Sequence, residues 1–370
     1  MSLKKNILFT NVIIIIFILT GEAALRVAGF TYFPEELGFK LTPGYRIFEK
    51  AGENFQTKME KRMTFIGQSF PVEKRPGEIR IFVLGGSSIF QLGNMERLRD
   101  KLNGAVKGKF IRIINVGGNS YGTTRLILCL QEILDYGPDI VILYSGHNEY
   151  EEEFVREMLS NENVFKTFDH KLIGISRVYQ FLSRGIHETA GLLLCYIDKN
   201  KNEGRIPFFP PGVRIGWRHS IDKGYVLKRY EKNINEMIDM ARNRKVKIAV
   251  SIVAYNRMAA PAKSADSYYL NGMALYDRGD FSAAKPLLEA GIDADLEPHR
   301  ASETTNAIIK KISVIRNVPL IDVDRDITSA SKDGIPGFDL FSDHCHLNEA
   351  GRLLLLDAFH KAIMQNNMLE

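Results

Sequence analysis

Short apolar runs rich in β-branched residues recur along the chain, with segments of helical spacing between them. The runs are Ile81–Leu84, Ile111–Asn115, Ile140–Tyr144, Val246–Val253 and Pro319–Val323. Helical patterns lie at about 95–107, 123–136, 226–244 and 300–316, and a last helix is predicted to begin at an Asn348 cap. Strands that are apolar throughout and alternate with helices predict a mainly parallel α/β sheet of about five strands, covered on both faces.

The first 25 residues carry a membrane-targeting pattern. Lys4 and Lys5 precede an apolar stretch from Ile7 to Gly21. Basic residues followed by such a stretch are typical of an export signal or a membrane anchor. The stretch is short for a full span of about 20 residues, but Ala23–Leu25 can extend it, and no lipobox cysteine follows. We favour an uncleaved transmembrane anchor at 1–25 over a cleaved signal peptide, with the remaining chain periplasmic or at the cell surface.

Three further segments depart from the alternation of strands and helices. Residues 26–78 lack sustained periodicity and are predicted to be a linker that wraps the edge of a domain spanning 79–370. Within that domain we predict insertions at 151–225 and 262–296. The second has the spacing of a helical hairpin and resembles one tetratricopeptide unit. Because a lone repeat cannot bury its own faces, we expect it to dock on the domain, and peptide binding is the alternative.

Composition narrows the classes of function. The chain has 370 residues, of which 45% are hydrophobic and 25% charged, enough for a large core. Its formal net charge is +5, but the basic residues are scattered, so nucleic acid is not an expected partner. The three cysteines lack CxxC spacing and indicate neither a disulfide framework nor a zinc site.

Four polar segments are predicted to meet at one edge of the sheet, because reactive groups collect beyond the carboxyl ends of parallel strands. They are GGSS at 85–88, NVGGNSYG at 115–122, SGHNEY at 145–150 and FSDHCHLNEAG at 341–351. The first lacks the GxxxxGK[ST] and GxGxxG patterns of phosphate-binding loops. It is therefore either a structural turn or the seat of a serine nucleophile.

A serine nucleophile needs a base within hydrogen-bond reach and a carboxylate that orients the base. Asp343 and His346 offer both, because on a turn the carboxylate can reach Nδ1 of His346 and leave Nε2 free for Ser87. We expect His344 to point elsewhere. The oxyanion donors would be the Ser87 N–H, an amide of the loop after the second strand, and the Asn148 side chain. The alternative for Asn148 is a turn residue that caps the next helix.

Taken together, GGSS, NVGGNSYG, GHNE and DHCH resemble the four sequence blocks of the SGNH, or GDSL-like, hydrolases, in family order from about residue 80 to 365. The resemblance implies a flavodoxin-like three-layer α/β/α sandwich and a serine esterase activity without metal or cofactor. By position it makes Ser87 the nucleophile, His346 the base and Asp343 the orienting acid. It makes Asn148 an oxyanion donor and places Ser120 at the position of a second donor from the loop.

Two positions depart from the pattern of this family. Gly86 stands where many members have aspartate, and Ser120 stands where they have glycine. The backbone conformation required at the second position is harder for serine, so Gly117, Gly118 or Gly122 is the alternative donor. The anchor, the GEAALR after it, the YSGHNEY block and the hairpin before EPHRA look similar to a bacterial subgroup of membrane-tethered SGNH hydrolases.

The resemblance implies hydrolysis of an ester, and the extracytoplasmic location favours an O-acetyl group on a glycan or another envelope ester. The nearest alternative is an acyltransferase that passes the acyl group to a polysaccharide hydroxyl. From another class, the chain could be an inactive membrane-anchored scaffold that binds a protein partner through the helical hairpin.

An acidic run, YEEEF at 150–154, follows Asn148. We expect it to be the solvated start of a helix, where negative charge complements the helix dipole, rather than a metal site. Glu149 occupies the acidic position that follows the asparagine in the family, and we expect it to orient that loop.

Overall fold

The predicted strands form one parallel sheet, and a small antiparallel sheet precedes it in the chain. The small sheet has the order β1-β2-β3 and the large one the order β5-β4-β6-β7-β8. Their bounds are β1 Phe48–Ala51, β2 Asn54–Thr57, β3 Ser69–Pro71, β4 Glu78–Gly85, β5 Phe110–Gly117, β6 Ile140–Tyr144, β7 Lys247–Ile252 and β8 Leu320–Asp322. The large sheet therefore runs 2-1-3-4-5 in the chain order of its own strands, which is the flavodoxin-like order of doubly wound sheets.

The computed structural model describes residues 3–28, 46–62, 64–106, 108–153, 172, 176–182, 222–263 and 267–370. These fall into two compact units: Met1–Tyr45 with Glu157–Ile215, and Arg46–Arg156 with Gly216–Glu370. The helices are α1 Leu3–Val27, α2 Ser87–Phe90, α3 Glu96–Ala105, α4 Thr123–Ile133, α5 Lys223–Asn243, α6 Tyr268–Asp277, α7 Phe281–Asp293, α8 Glu303–Arg316, α9 Val323–Ala330 and α10 Glu349–Gln365. Most of the predicted insertion at 151–225 lies outside the described residues.

Helices cover both faces of the large sheet. Helices α3, α9 and α10 pack together over one face, and α4, α5 and α8 pack together over the other. The strands between them are almost wholly buried, as their continuous apolar runs require: Ile81, Val83, Ile142 and Val250 have no exposed surface. The predicted fold class is thus confirmed.

The observed elements differ from the predicted ones mainly at their ends. Strand β5 extends to Gly117, and helix α10 begins after Asn348, whose side chain accepts a hydrogen bond from the Gly351 N–H at 3.1 Å, as predicted. Helix α9 was not predicted from the pattern. It begins directly after β8, where the Asp322 side chain accepts from the Arg325 N–H. A strand that passes into a helix without a turn leaves no break in the apolar pattern, which explains the omission.

Residues 46–71, expected to be linker, contain the small antiparallel sheet. Two buried side chains tie this sheet to the large one. Glu132 accepts hydrogen bonds from the N–H groups of Ile47 and Phe48, at 2.7 and 2.9 Å. Arg80 on β4 pairs with Glu78 at 2.9 Å and donates to the Pro71 carbonyl. Strands of three or four residues carry too little alternation to be recognised in a sequence, so only these long-range contacts reveal the sheet.

The unit that contains the N-terminus includes helix α1. Helix α1 has 25 residues, about 38 Å at the usual rise per residue, against a hydrocarbon core of about 30 Å. Its segment Phe9–Val27 is long and apolar enough to cross a membrane, as an anchor or a signal sequence would be. Near its end, Glu22 accepts hydrogen bonds from Ser176 Oγ and the Val178 N–H, both at 3.0 Å.

Helices α6 and α7 form the predicted hairpin, joined through Gly279 at a φ of +80°. The buried side chain of Arg257, which follows β7, links the hairpin to the sheet's own helices. It bonds Glu289 on α7 at 2.7 Å, Glu303 on α8 at 2.7 Å and Asp324 on α9 at 2.8 Å. One guanidinium thus joins three helices.

We expect Gly117→Ala to destabilise the domain, because the end of β5 lies directly against helix α2. A Cβ at this position would lie 2.2 Å from the Phe90 nitrogen and 2.6 Å from the Ile89 carbonyl carbon. Forcing the backbones apart should lower the free energy of unfolding by about 1–3 kcal/mol. The control is Gly104→Ala in α3, where no atom lies within 4 Å and where alanine should raise stability by about 0.4–1 kcal/mol. Urea unfolding midpoints test the pair, and equal shifts would contradict the close approach.

Candidate active site

The candidate nucleophile lies where the order of the strands reverses. Strand β4 ends at Gly85, and Ser87 begins helix α2 two residues later. Asn148 follows β6, which pairs with β4 on the side away from β5. Ligands of doubly wound sheets bind at this point, beyond the carboxyl ends of the strands. The topology therefore brings Ser87 and Asn148 to the same crevice.

Ser87, His346 and Asp343 form a continuous chain of hydrogen bonds. Ser87 Oγ lies 2.7 Å from His346 Nε2, and His346 Nδ1 lies 2.6 Å from Asp343 Oδ2. A carboxylate only accepts, so Nδ1 carries the proton that is donated to Asp343. Nε2 then keeps its lone pair and accepts the hydroxyl proton of Ser87. This is the relation between a nucleophile, a base and an orienting acid.

The turn that carries Asp343 and His346 is held by its own carboxylate and by Asn256. Asp343 Oδ1 accepts from the N–H groups of Cys345 and His346, at 2.8 and 2.7 Å. Asn256, which follows β7, donates from Nδ2 to the Asp343 carbonyl at 2.8 Å. Its N–H donates to the His344 carbonyl at 3.1 Å. The base is thus anchored to the same edge of the sheet as the nucleophile.

The electrostatics of this turn favour an ionised carboxylate. Burial opposes the charge on Asp343, but hydrogen bonds from the His346 side chain and from the two N–H groups outweigh it. They hold the pKa of the Asp343 carboxyl well below its usual range. A negative charge at this position can stabilise the imidazolium that forms when His346 takes a proton.

Three neighbouring side chains of the turn could be considered as metal ligands. Asp343, His344 and Cys345 have donor atoms within 4.8 Å of one another. The Asp343 oxygens already accept hydrogen bonds from Cys345 and His346, and burial raises the pKa of the Cys345 thiol well above its ordinary value. The ring of His344 instead packs against His299, with centroids 4.3 Å apart. The residues suit a triad better than a metal site.

Gly86 allows Asn148 to lie against the loop of the nucleophile. A Cβ on Gly86 would lie 2.4 Å from Asn148 Nδ2 and 3.2 Å from the Tyr121 carbonyl oxygen. Asn148 Nδ2 donates to that carbonyl at 3.0 Å, and one N–H of its amide remains for a ligand. The carbonyl of Asn148 accepts the N–H of Glu152, so the residue stands at a helix start, but its side chain is used across the crevice.

Ser120 lies in the loop between β5 and α4 with a φ of +60°, in the left-handed region that glycine adopts most readily. Its carbonyl accepts a hydrogen bond from Arg125. Asn115, at the start of the same block, is buried and bonds the carbonyls of Ile89 and Gly93, so it holds the loop to the segment that carries Ser87. Of the described residues in this loop, Tyr121 rather than Ser120 lines the pocket beside the nucleophile.

A small pocket opens beside Ser87. Its described lining consists of Gly86, Ser87, Ser88, Tyr121, Tyr144, Ser145, Gly146, His147 and Asn148. Ser87 is also the first residue of α2, and no described residue accepts its N–H, which leaves that donor free for an oxyanion.

The acidic run after Asn148 was predicted to be solvated, and this expectation is wrong. Within this run, at 150–154, Glu152 and Glu153 are both 0% exposed. Glu149, which was expected to orient the loop, is 3% exposed. Glu149 accepts from Thr123 Oγ1 at 2.6 Å and from Ser145 Oγ at 3.0 Å. It thereby joins the end of β6 to the start of α4. A run of four polar residues gives no sequence signal of burial, because its partners are supplied by a distant loop.

Glu152, three residues after Glu149, contacts the same start of helix α4. It accepts from the N–H groups of Gly122 and Thr124, at 3.2 and 2.7 Å, and pairs with Arg125 Nε at 2.9 Å. The two acids thus satisfy the N–H groups at the start of α4, which have no intrahelical acceptor. Their positions fix the loop of Ser120 relative to Asn148.

Comparisons with known proteins find similarity to solved structures alone. No protein-family model matches the chain, and a comparison with curated proteins gives no match. Among solved structures, it is similar to a GDSL-like lipase from Bacteroides thetaiotaomicron, with 11% identity, 79% of this chain and 91% of that chain covered, and a TM-score of 0.37. It is also similar to an acetylxylan esterase from Geobacillus stearothermophilus, with 12% identity, coverages of 77% and 94%, and a TM-score of 0.41.

We expect the stability of the domain to fall as the pH rises from about 4.5 to about 7. Burial, with the neighbouring charge of Glu152, raises the pKa of Glu149 to about 7 from 4.5. The folded state then keeps a proton that the unfolded state loses in this interval, which favours unfolding by at most about 1.4 kcal/mol per pH unit.

Glu149→Gln should remove this component, whereas Glu236→Gln, at an exposed position, should not. Urea unfolding at pH 5 and pH 7.5 measures the difference for each protein. An unchanged pH dependence in Glu149→Gln would show that this carboxyl does not titrate in that interval.

Proposed function

We propose that the chain is a serine esterase with Ser87 as nucleophile, His346 as general base and Asp343 as its orienting acid. The observation that carries the proposal is the hydrogen-bond chain from Ser87 Oγ through both ring nitrogens of His346 to Asp343. A structural serine in a glycine turn has no need of an imidazole nitrogen within hydrogen-bond distance of its hydroxyl. The free N–H of Ser87 and the amide of Asn148 supply donors on the same side of the crevice.

In the acylation step, His346 Nε2 takes the proton of Ser87 Oγ as that oxygen attacks the ester carbonyl carbon. The carbonyl oxygen becomes an oxyanion that accepts hydrogen bonds from the Ser87 N–H and from the Asn148 side chain. The bond to the alcohol oxygen breaks, and the proton on Nε2 passes to the leaving alkoxide. The products are free alcohol and acyl-Ser87.

Deacylation repeats these steps with water. His346 takes one proton from water, the resulting hydroxide attacks the acyl carbon, and Ser87 Oγ leaves with the proton from Nε2. Ester and water are converted into acid and alcohol, and the triad returns to its initial state. The charge of Asp343 favours the imidazolium in both halves of the reaction.

The substrate class that we propose is an O-acetyl group on an extracytoplasmic glycan or another envelope ester. The small pocket beside Ser87 favours a short acyl group over a long lipid chain. The apolar helix at the N-terminus favours a location outside the cytoplasm. Together these features support the proposal of a membrane-anchored SGNH-type hydrolase.

Ser87→Ala should lower kcat/KM for p-nitrophenyl acetate by at least about a thousandfold, because no other group replaces the nucleophile. The matched control is Ser88→Ala, which removes the neighbouring hydroxyl and should keep most of the activity. Labelling with a fluorophosphonate probe should be lost in Ser87→Ala and retained in Ser88→Ala. A wild-type chain that folds but neither hydrolyses the ester nor reacts with the probe would refute the esterase.

We propose further that residues 1–25 stay on the chain as an anchor. The full chain with a C-terminal tag should remain in the membrane fraction after an alkaline carbonate wash and keep its N-terminal sequence. Ile15→Asp should lower the membrane fraction, since a charge at the centre of a spanning helix costs about 2.5–3.5 kcal/mol. Release of a shortened chain into the soluble fraction would instead identify a cleaved signal peptide.

A further inference from the structure

His147, which precedes Asn148 in the GHNE block, is a buried histidine beside the triad. It is 6% exposed and belongs to the lining of the pocket that Ser87 shares. The ring of Tyr144 lies 6.3 Å from its ring, centroid to centroid. The mechanism derived above gives His147 no part, and the family pattern assigns no role to this position.

The hydrogen bond that His147 makes determines which ring nitrogen carries its proton. The N–H of Ala301 lies 3.3 Å from Nδ1, and an N–H group can only donate, so Nδ1 is the acceptor. Burial, with the nearby His346 and His344, lowers the pKa of His147 to about 3, so the ring is neutral under working conditions. The single proton of the ring is therefore on Nε2.

That Nε2–H group has no partner among the residues that the structure describes. Nε2 is fully buried and makes no hydrogen bond to the described part of the chain. A buried polar group without a partner destabilises a fold, and such a group is tolerated where a ligand supplies the missing acceptor. The same ring already satisfies Ala301, so its second nitrogen is not needed for structure.

We propose that His147 contacts the substrate and donates a hydrogen bond from Nε2–H to an oxygen of the acyl group bound beside Ser87. The inference rests on the proposed esterase and adds a recognition residue to it. Two oxygens could accept: the carbonyl oxygen of the ester, or an oxygen substituent further along a short acyl group. Either oxygen would supply the acceptor that the Nε2–H group lacks.

Two substitutions separate the roles of the two ring nitrogens. In His147→Asn, the amide oxygen can stand near the place of Nδ1 and keep the bond to Ala301, but the donor at Nε2 is lost. In His147→Gln, the amide nitrogen can reach the place of Nε2, but the acceptor for Ala301 is lost. His147→Asn therefore keeps the structural contact and loses the substrate contact, whereas His147→Gln loses the structural contact and keeps the substrate contact.

The experiment measures kcat and KM of the full chain for p-nitrophenyl acetate, together with melting temperature. We expect His147→Asn to melt near the wild type and to lose at least about tenfold in kcat/KM, the value of one hydrogen bond. We expect His147→Gln to melt lower and to keep more of its kcat/KM than His147→Asn. A purely structural role predicts the reverse order of activities, and that result would overturn the proposal.

The p-nitrophenyl ester of methoxyacetic acid identifies the acceptor oxygen. If Nε2–H binds the carbonyl oxygen, His147→Asn loses the same factor on both esters, mainly in kcat. If it binds the substituent, the loss is larger for the methoxyacetate and lies mainly in KM.

Should His147→Asn fail to fold, folded His147→Gln decides the question, because a loss of tenfold or more in kcat/KM on both esters overturns the contact. A wild type no faster than Ser87→Ala overturns the esterase and this inference together. An active wild type with an unaffected His147→Asn overturns only the inference.

Discussion

The hydrogen bond between Ser87 Oγ and His346 Nε2 joins residues that lie 259 positions apart in the chain. It can form only because parallel strands end at one edge, where the loop after β4 meets the turn before α10. A pleated strand one residue longer or shorter would turn the following side chain to the other face. The register of β4 between β5 and β6 is therefore the constraint on which the site depends.

Close contacts at two glycines also constrain the strand ends around Ser87. Gly117 lies against helix α2, and Gly86 lies against Asn148, so neither position has room for a side chain. Asn115 donates hydrogen bonds to the Ile89 carbonyl within α2 and to the Gly93 carbonyl after it. Small residues and buried amides thus support the segment that carries Ser87, and such support keeps a side chain in one geometry.

Buried ionisable side chains also hold the loops at this edge of the sheet. Glu149 and Glu152 hold the loop of Ser120 to the helix start after Asn148, and Arg257 joins three helices near the turn of the base. A buried charge is tolerated only where several hydrogen bonds replace its water, and each of these groups has at least three. Such networks position the loops more sharply than apolar contacts could.

The sequence by itself determined the sheet, because continuous apolar runs and helical spacing are local properties that survive without knowledge of contacts. It also indicated Ser87, His346, Asp343 and Asn148, since the order of short polar blocks after strands is visible in one dimension. Tertiary structure alone decided that the acids after Asn148 are buried, that residues 46–71 contain a sheet, and that Nδ1 of His147 accepts the N–H of Ala301. These depend on partners far away in the chain, and the pattern of a segment does not record which distant groups will satisfy it.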